Sequence, residues 1–153
     1  SIEARAVDLV LGNGAHILVL HPLDVLESRR RNVDLLPSKQ NAAGRAQMKL
    51  AVGVMAKFLR VLLAKESVRV VLEAVERVAD IALDPRLSLV LLAEGIDLLA
   101  EVPVPEINSV PFRGRRWPRL VAAQSRLAKK NAALVERRAR LLERQRKRVA
   151  AAG

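Results

Sequence analysis

The chain has 153 residues, 51% of them apolar, no cysteine, and a formal charge of +11. This length can bury one core without covalent staples. The missing cysteines exclude a disulfide framework and thiolate metal sites and fit a reducing cytoplasm, and the lack of an 18-residue uncharged run excludes a membrane-spanning helix. The first residue is Ser1, which points to a processed or truncated start.

The charge is concentrated at one end. Between Arg113 and Arg148 there are fourteen Lys/Arg and two acids, a local net of +12, whereas the preceding 112 residues carry thirteen Lys/Arg and fourteen Asp/Glu, a net of −1. An asymmetry of this kind marks a surface for nucleic acid or an acidic partner attached to a near-neutral body. The apolar fraction is built from Leu, Val and Ala, and only Phe58, Phe112 and Trp117 are aromatic. Together with Arg, Glu and Lys, this composition favours helices.

In chain order, residues 2–20 predict two short strands. Ala6-Val7-Asp8-Leu9-Val10-Leu11 is compatible with a strand, Gly12-Asn13-Gly14 is turn chemistry, and Ile17-Leu18-Val19-Leu20 is a second apolar run. His21-Pro22 then opens a helix whose buried face is expected to include Leu23, Val25, Leu26, Val33 and Leu36, with a break at Pro37-Ser38-Lys39-Gln40-Asn41. A long helix over about 42–64 follows, with Leu50, Val54, Phe58 and Leu62 as its apolar stripe, and with Gly53 placed to let a neighbouring helix approach. A third helix over about 67–83 presents Val68, Val71, Leu72, Val75 and Val78, and Asp84-Pro85 ends it. A shorter helix over about 87–93 stops at Gly95. Pro103, Pro105 and Pro111 predict an extended connector closed by Trp117-Pro118, and everything beyond Pro118 reads as one helix to about Val149.

That last helix carries Leu120, Leu127, Leu134 and Leu141 at a spacing of seven. The matching a positions, Gln124, Asn131, Arg138 and Gln145, are all polar, so self-pairing is expected to be weak, and the stripe is better suited to docking on a body or a partner helix. Its other faces hold Arg119, Arg126, Lys129, Lys130, Arg137, Arg138, Arg140, Arg144, Arg146, Lys147 and Arg148, preceded by Arg115 and Arg116. Arginine's planar fork suits phosphate, and a helix of this charge density can follow a nucleic-acid backbone without reading sequence. A solvated tail and a dock for an acidic protein are the competing readings of the same charge.

Catalytic signals are sparse. His16 and His21 are five apart with no third ligand, and His21, with Asp24 nearby, reads as the cap of the helix that follows. No Gly-rich phosphate loop, nucleophile elbow or zinc-protease motif occurs. Asp8 is the one acid of the first strand, and simple alternation makes it a solvent-facing carboxylate.

The order strand, Gly/Asn turn, strand, then Val19-Leu20-His21-Pro22-Leu23-Asp24-Val25-Leu26-Glu27-Ser28-Arg29, resembles the part that follows the catalytic core in nucleotidyltransferase-like proteins of the minimal and abortive-infection type. Pro111-Phe112 and Arg115-Arg116-Trp117-Pro118-Arg119-Leu120 are similar to the end of bacterial proteins of this kind. The resemblance implies that Arg29 fills a basic position after the Pro-containing helix start, and that Asp8 matches the family's third carboxylate. It also implies a divalent metal only where an upstream domain supplies the Gly-Ser motif and the paired Asp-x-Asp, both absent here; Lys39-Gln40 stands where relatives have Lys-Asp. Two-metal phosphoryl transfer needs those clustered carboxylates, so no cofactor is expected in these residues alone.

The expected architecture is thus mainly α: a helical bundle with a small N-terminal β-hairpin over 1–102, a Pro-rich connector over 103–118 and a long basic C-terminal helix over 119–153. Its expected partner is RNA, DNA or a nucleotide, with Asp8 and Arg29 as the catalytic candidates if an upstream domain exists. The alternatives are a non-enzymatic nucleic-acid-binding module and a helical protein-interaction domain.

Overall fold

The computed structural model describes residues 7–10, 12–35, 42–86, 88, 91 and 95–152. The protein is mainly helical. Among the described residues the α-helices are α1 (Pro22–Leu35), α2 (Ala42–Lys65), α3 (Val68–Ala82) and α4 (Trp117–Ala152). No helix among them is long and apolar enough to cross a membrane. Ahead of α1, Val7–Val10 and His16–Val19 (β1 and β2) lie antiparallel with Asp8 opposite Leu18. Among the described side chains the core runs through the helices and the segment after α3.

Helix α1 starts where Pro22 presets the backbone and His21 supplies the cap. The Leu23 N–H donates to His21 Nδ1 at 3.2 Å, and the Asp24 and Val25 N–H groups donate to the His21 carbonyl. The same imidazole meets the Phe58 ring edge-on at 4.7 Å, so the cap also joins α1 to α2. Leu23 and Leu26 are fully buried. The Val33 side chain, Leu36 and the break at 37–41 lie outside the described residues.

Only the second half of the expected stripe of α2, Phe58 and Leu62, packs against the core. Met48, Ala51, Val52, Met55, Ala56 and Leu59 line the core, while Leu50 is 69% exposed and Val54 40% exposed. Leu50, Val54, Phe58 and Leu62 are four apart, and a strict four-residue step turns about 40° per repeat, so the row winds round the cylinder. The buried set recurs at i, i+3, i+4, i+7, i+8 and i+11 from Met48 and stays on one side. Gly53 faces open space, with no atom within 4 Å of where a Cβ would sit, so it admits no neighbouring helix.

Helix α3 follows the expected pattern with one shift. Val71, Ala74, Val75, Val78, Ala79 and Ala82 are buried, but Val68 in the first turn is exposed. The Leu83 and Asp84 N–H groups bond back to Ala79 and Ile81, closing the helix before Pro85. Residues 87, 89–90 and 92–94, most of the short helix expected at 87–93, lie outside the described set. Its stop signal is visible, since Gly95 has φ +64° and the Ile96 N–H reaches the Leu91 carbonyl at 2.9 Å, the six-to-one bond of a Schellman closure.

The Pro-rich stretch is packed into the body. Leu98, Leu99, Val102 and Ile107 are buried, around a 3₁₀ turn at Val104–Glu106. Proline lacks a backbone donor, so a Pro-rich strap can cross a core with few amides left to satisfy. Helical structure resumes at Val110, capped by Ser109, whose Oγ accepts the Phe112 N–H and whose carbonyl accepts the Arg113 N–H. Five residues of π-helix, Phe112–Arg116, then lead into α4, and the Trp117 N–H bonds to Phe112. In an α-helical turn the Pro118 ring would press on the Gly114 carbonyl; the wider turn places it within a continuous helix.

Candidate functional site

Helix α4 is anchored to the body along its first half. At its base the Arg116 guanidinium grips Glu76 of α3 with two bonds, Nε to Oε1 at 2.7 Å and Nη2 to Oε2 at 2.5 Å. The hydrogen bond from Arg116 holds the Glu76 carboxyl below the usual carboxylate range, and its positive charge adds to this against a smaller opposing effect of burial. Leu120 is buried beside Phe112 and Trp117 in the core cluster. One turn on, Gln124 Nε2 donates to Asp97 Oδ1 at 2.8 Å; this oxygen also accepts the Leu99 and Ala100 N–H groups. Asn131 is buried, with Nδ2 at 3.5 Å from the Pro85 carbonyl. Between these anchors lies an open cleft of about 310 Å³, bounded by Ser88, Leu91, Ile96 and Asp97 on one side and Val121, Gln124, Ser125 and Ala128 on the other.

Past Asn131 every side chain that the structure describes on α4 is exposed. The leucine row therefore divides: Leu120 is buried, Leu127 half-buried and Leu134 48% exposed. The row's first half is the body-docking seam of α4.

Most of the cations lie on the opposite side, whereas Arg138 shares the azimuth of Leu120 and Arg146 lies about 80° beyond it. At about 100° per residue, and taking Arg119 as zero, Arg126, Lys129, Lys130, Arg137, Arg140 and Arg144 fall between about −80° and +20°. Leu120, Gln124, Leu127 and Asn131 fall between about +80° and +140°. All seven basic side chains of that arc are exposed. The arc runs straight for about 38 Å from Arg119 to Arg144, at 1.5 Å per residue. Glu136 borders it and is paired with Arg140. Arg115 is exposed in the π turn, while Arg116 is committed to Glu76. Arg138, Arg146, Lys147 and Arg148 belong to α4 by their backbone, and their side chains lie outside the described set.

Asp8 sits on β1 with its side chain outside the described set, and Arg29 Nη1 donates to Gln47 Oε1 at 3.0 Å, joining α1 to α2. The body's charged groups otherwise serve as braces. Arg77 of α3 bonds Asp24 and Glu27 of α1; burial pulls its pKa down, but those two carboxylates outweigh it and raise the value. Arg30 bonds Asp84 at 3.0 Å. Among the described residues no group of three or more His, Asp or Glu could hold a metal ion.

Sequence reasoning missed Glu76 and Asp97, which fix the base of α4. A signal for Glu76 existed: Glu73, Glu76 and Asp80 at steps of three and four form an acidic row on one face of the third helix, a natural seat for an arginine. Asp97 carried no such signal. Comparison of the chain with protein-family models, curated proteins and solved structures finds no match.

Proposed function

We propose that this protein binds nucleic acid through the exposed basic face of α4, with the helical body as the mount that holds the face clear. The observation that carries this reading is the clustering of charge on α4: seven exposed cations fall in one straight arc away from Leu120, Gln124 and Asn131, with Arg138 and Arg146 outside the arc by helical position. A tail that merely solubilises has no need of such an arc, since charge scattered around the helix would serve equally. Phosphate contacts of this kind give affinity by releasing counterions and read no bases. In a nucleotidyltransferase-like protein of the kind the sequence resembles, the same face would hold the polynucleotide while an upstream domain carried the chemistry, and the β1–β2 pair would serve as the link between the two.

The test is retention of mixed-sequence polynucleotide by the full chain as salt is raised. Seven contacts predict a log–log slope of about −5 to −6. Binding with a slope near zero would refute the reading. Deletion of 119–153 is a poor control, because it strips Leu120 and Asn131 from the body. Glutamine at Arg126, Lys130 and Arg137 removes charge and leaves the anchors in place.

A further inference from the structure

Resting on the phosphate-binding reading above, we infer that the ligand of α4 is double-helical, with its phosphates contacted along a groove, and that single strands are the poorer substrate. Three features of the molecule lead there.

The first is what the aromatic rings do. Non-specific single-strand sites obtain much of their affinity by stacking bases on exposed rings, about 1–3 kcal/mol per base. This chain has three such rings, all engaged by the body: Phe58 packs against His21, while Phe112 is buried 5.9 Å from the half-buried Trp117. From Pro118 to the end of the chain there is no aromatic residue. The basic arc therefore has no platform on which to order a flexible strand.

The second is shape. The arc spans about 100° of a cylinder 10–12 Å across, which makes a band roughly 10 Å wide and 38 Å long. Within the band Arg119, Arg126, Lys130, Arg137 and Arg144 lie within about 40° of one another, with Lys129 and Arg140 to one side of them. A major groove of B-form DNA is about 12 Å wide, so a rigid band of this width and length can lie along one.

The third is charge density. Counterion release gives a slope of about −0.9 per contact on duplex and about −0.7 on single strands. With seven contacts at about 0.1 M salt, that difference alone favours duplex by roughly 25-fold, and with five contacts by about tenfold.

The experiment compares the full chain's affinity for four 20-nucleotide probes of one mixed sequence: duplex DNA, duplex RNA, and each as a single strand, at about 0.1 M salt. The expected result is at least tenfold tighter binding to a duplex than to its own single strand. The two duplex arms show whether the B-form or the A-form groove is the better fit, and a preference for either supports the inference. Arg126→Gln/Lys130→Gln/Arg137→Gln, checked for unchanged helicity, should lose duplex binding more than single-strand binding. Equal affinity for single strands and duplexes, both sensitive to that variant, would overturn the duplex inference and leave phosphate binding standing. Retention of none of the four probes would remove both.

Discussion

Replacing Glu76 with Gln removes the negative half of the clamp at the base of α4 and leaves the shape intact. The two side chains are 37% and 49% exposed, so Arg116 is left in solvent and no buried unpaired charge results. Exposed pairs are worth about 0.2–1 kcal/mol, and a two-pronged guanidinium–carboxylate contact belongs in the upper half of that range. The expected loss is about 0.5–1 kcal/mol, or roughly 1–4 °C in Tm for a chain of this size. The pH dependence identifies the cause. Glu76 ionises more readily in the folded chain than its ordinary value of 4.5 implies, so its contribution is full above that value and is lost as the pH falls through the lower folded value. Thermal melts of the wild type and Glu76→Gln should therefore differ at pH 7, converge below about pH 4.5, and coincide once the wild-type carboxyl is protonated. High salt should narrow the gap at pH 7. Arg116→Gln should cost the same amount, and the double variant little more than either single one. A gap unchanged from pH 7 to pH 3, or a loss above about 3 kcal/mol, would show that Glu76 acts through something other than this ion pair.

Further outcomes follow from the two faces of α2 and from the braces on α3. Gly53→Ala should stabilise the chain by about 0.5–1 kcal/mol in denaturant titration, because the added methyl meets nothing and the unfolded chain loses freedom. Leu59→Ala should cost about 2–5 kcal/mol, whereas Leu50→Ala, on the solvent side, should stay within about 0.5 kcal/mol. Arg77→Ala should destabilise measurably more than Arg69→Ala, since Arg77 joins α3 to α1 with its side chain 27% exposed, while Arg69 pairs within α3 at 88%. Arg137→Gln should reduce the salt slope of duplex binding by about 0.9 without shifting Tm by more than a degree or two.

The helical class and the approximate ends of α2, α3 and α4 were legible in the sequence because they depend on local signals. Ser67 and Asp84-Pro85 bracket α3, and His21-Pro22 opens α1 with the histidine in the capping role expected of it. The buried side of α2 was only half legible from its expected stripe, of which Phe58 and Leu62 pack on the core and Leu50 and Val54 do not. Met48, Ala51 and Ala56 define it, and small residues look indifferent until a neighbour is packed on them. The stretch read as a connector over 103–118 was less legible. Its prolines argue for an extended segment, yet Ile107 and Phe112 within it are buried. Proline reports only that no regular ladder forms, and says nothing about burial. The basic face was legible as a list of cations, but its one-sidedness emerges only once Leu120, Gln124 and Asn131 are known to dock.

The polar residues on the docking seam of α4 follow from this division of labour. A seam meant to pair with an identical helix is best made apolar at every a position, with an occasional polar residue to set register. A seam meant to lie on an irregular body can use polar side chains wherever the body offers a partner. Gln124 meets Asp97 at 2.8 Å, and buried Asn131 faces the Pro85 carbonyl. Such bonds add little net stability, but each costs more to lose when buried, so they fix which face of α4 points inward. Rotation of α4 by even one residue, about 100°, would carry the cationic band from solvent toward the body. The apolar leucines hold the helix down, the amides set its rotation, and Glu76 holds its base. The direction in which the seven cations face is therefore a property of the body as much as of the helix that bears them.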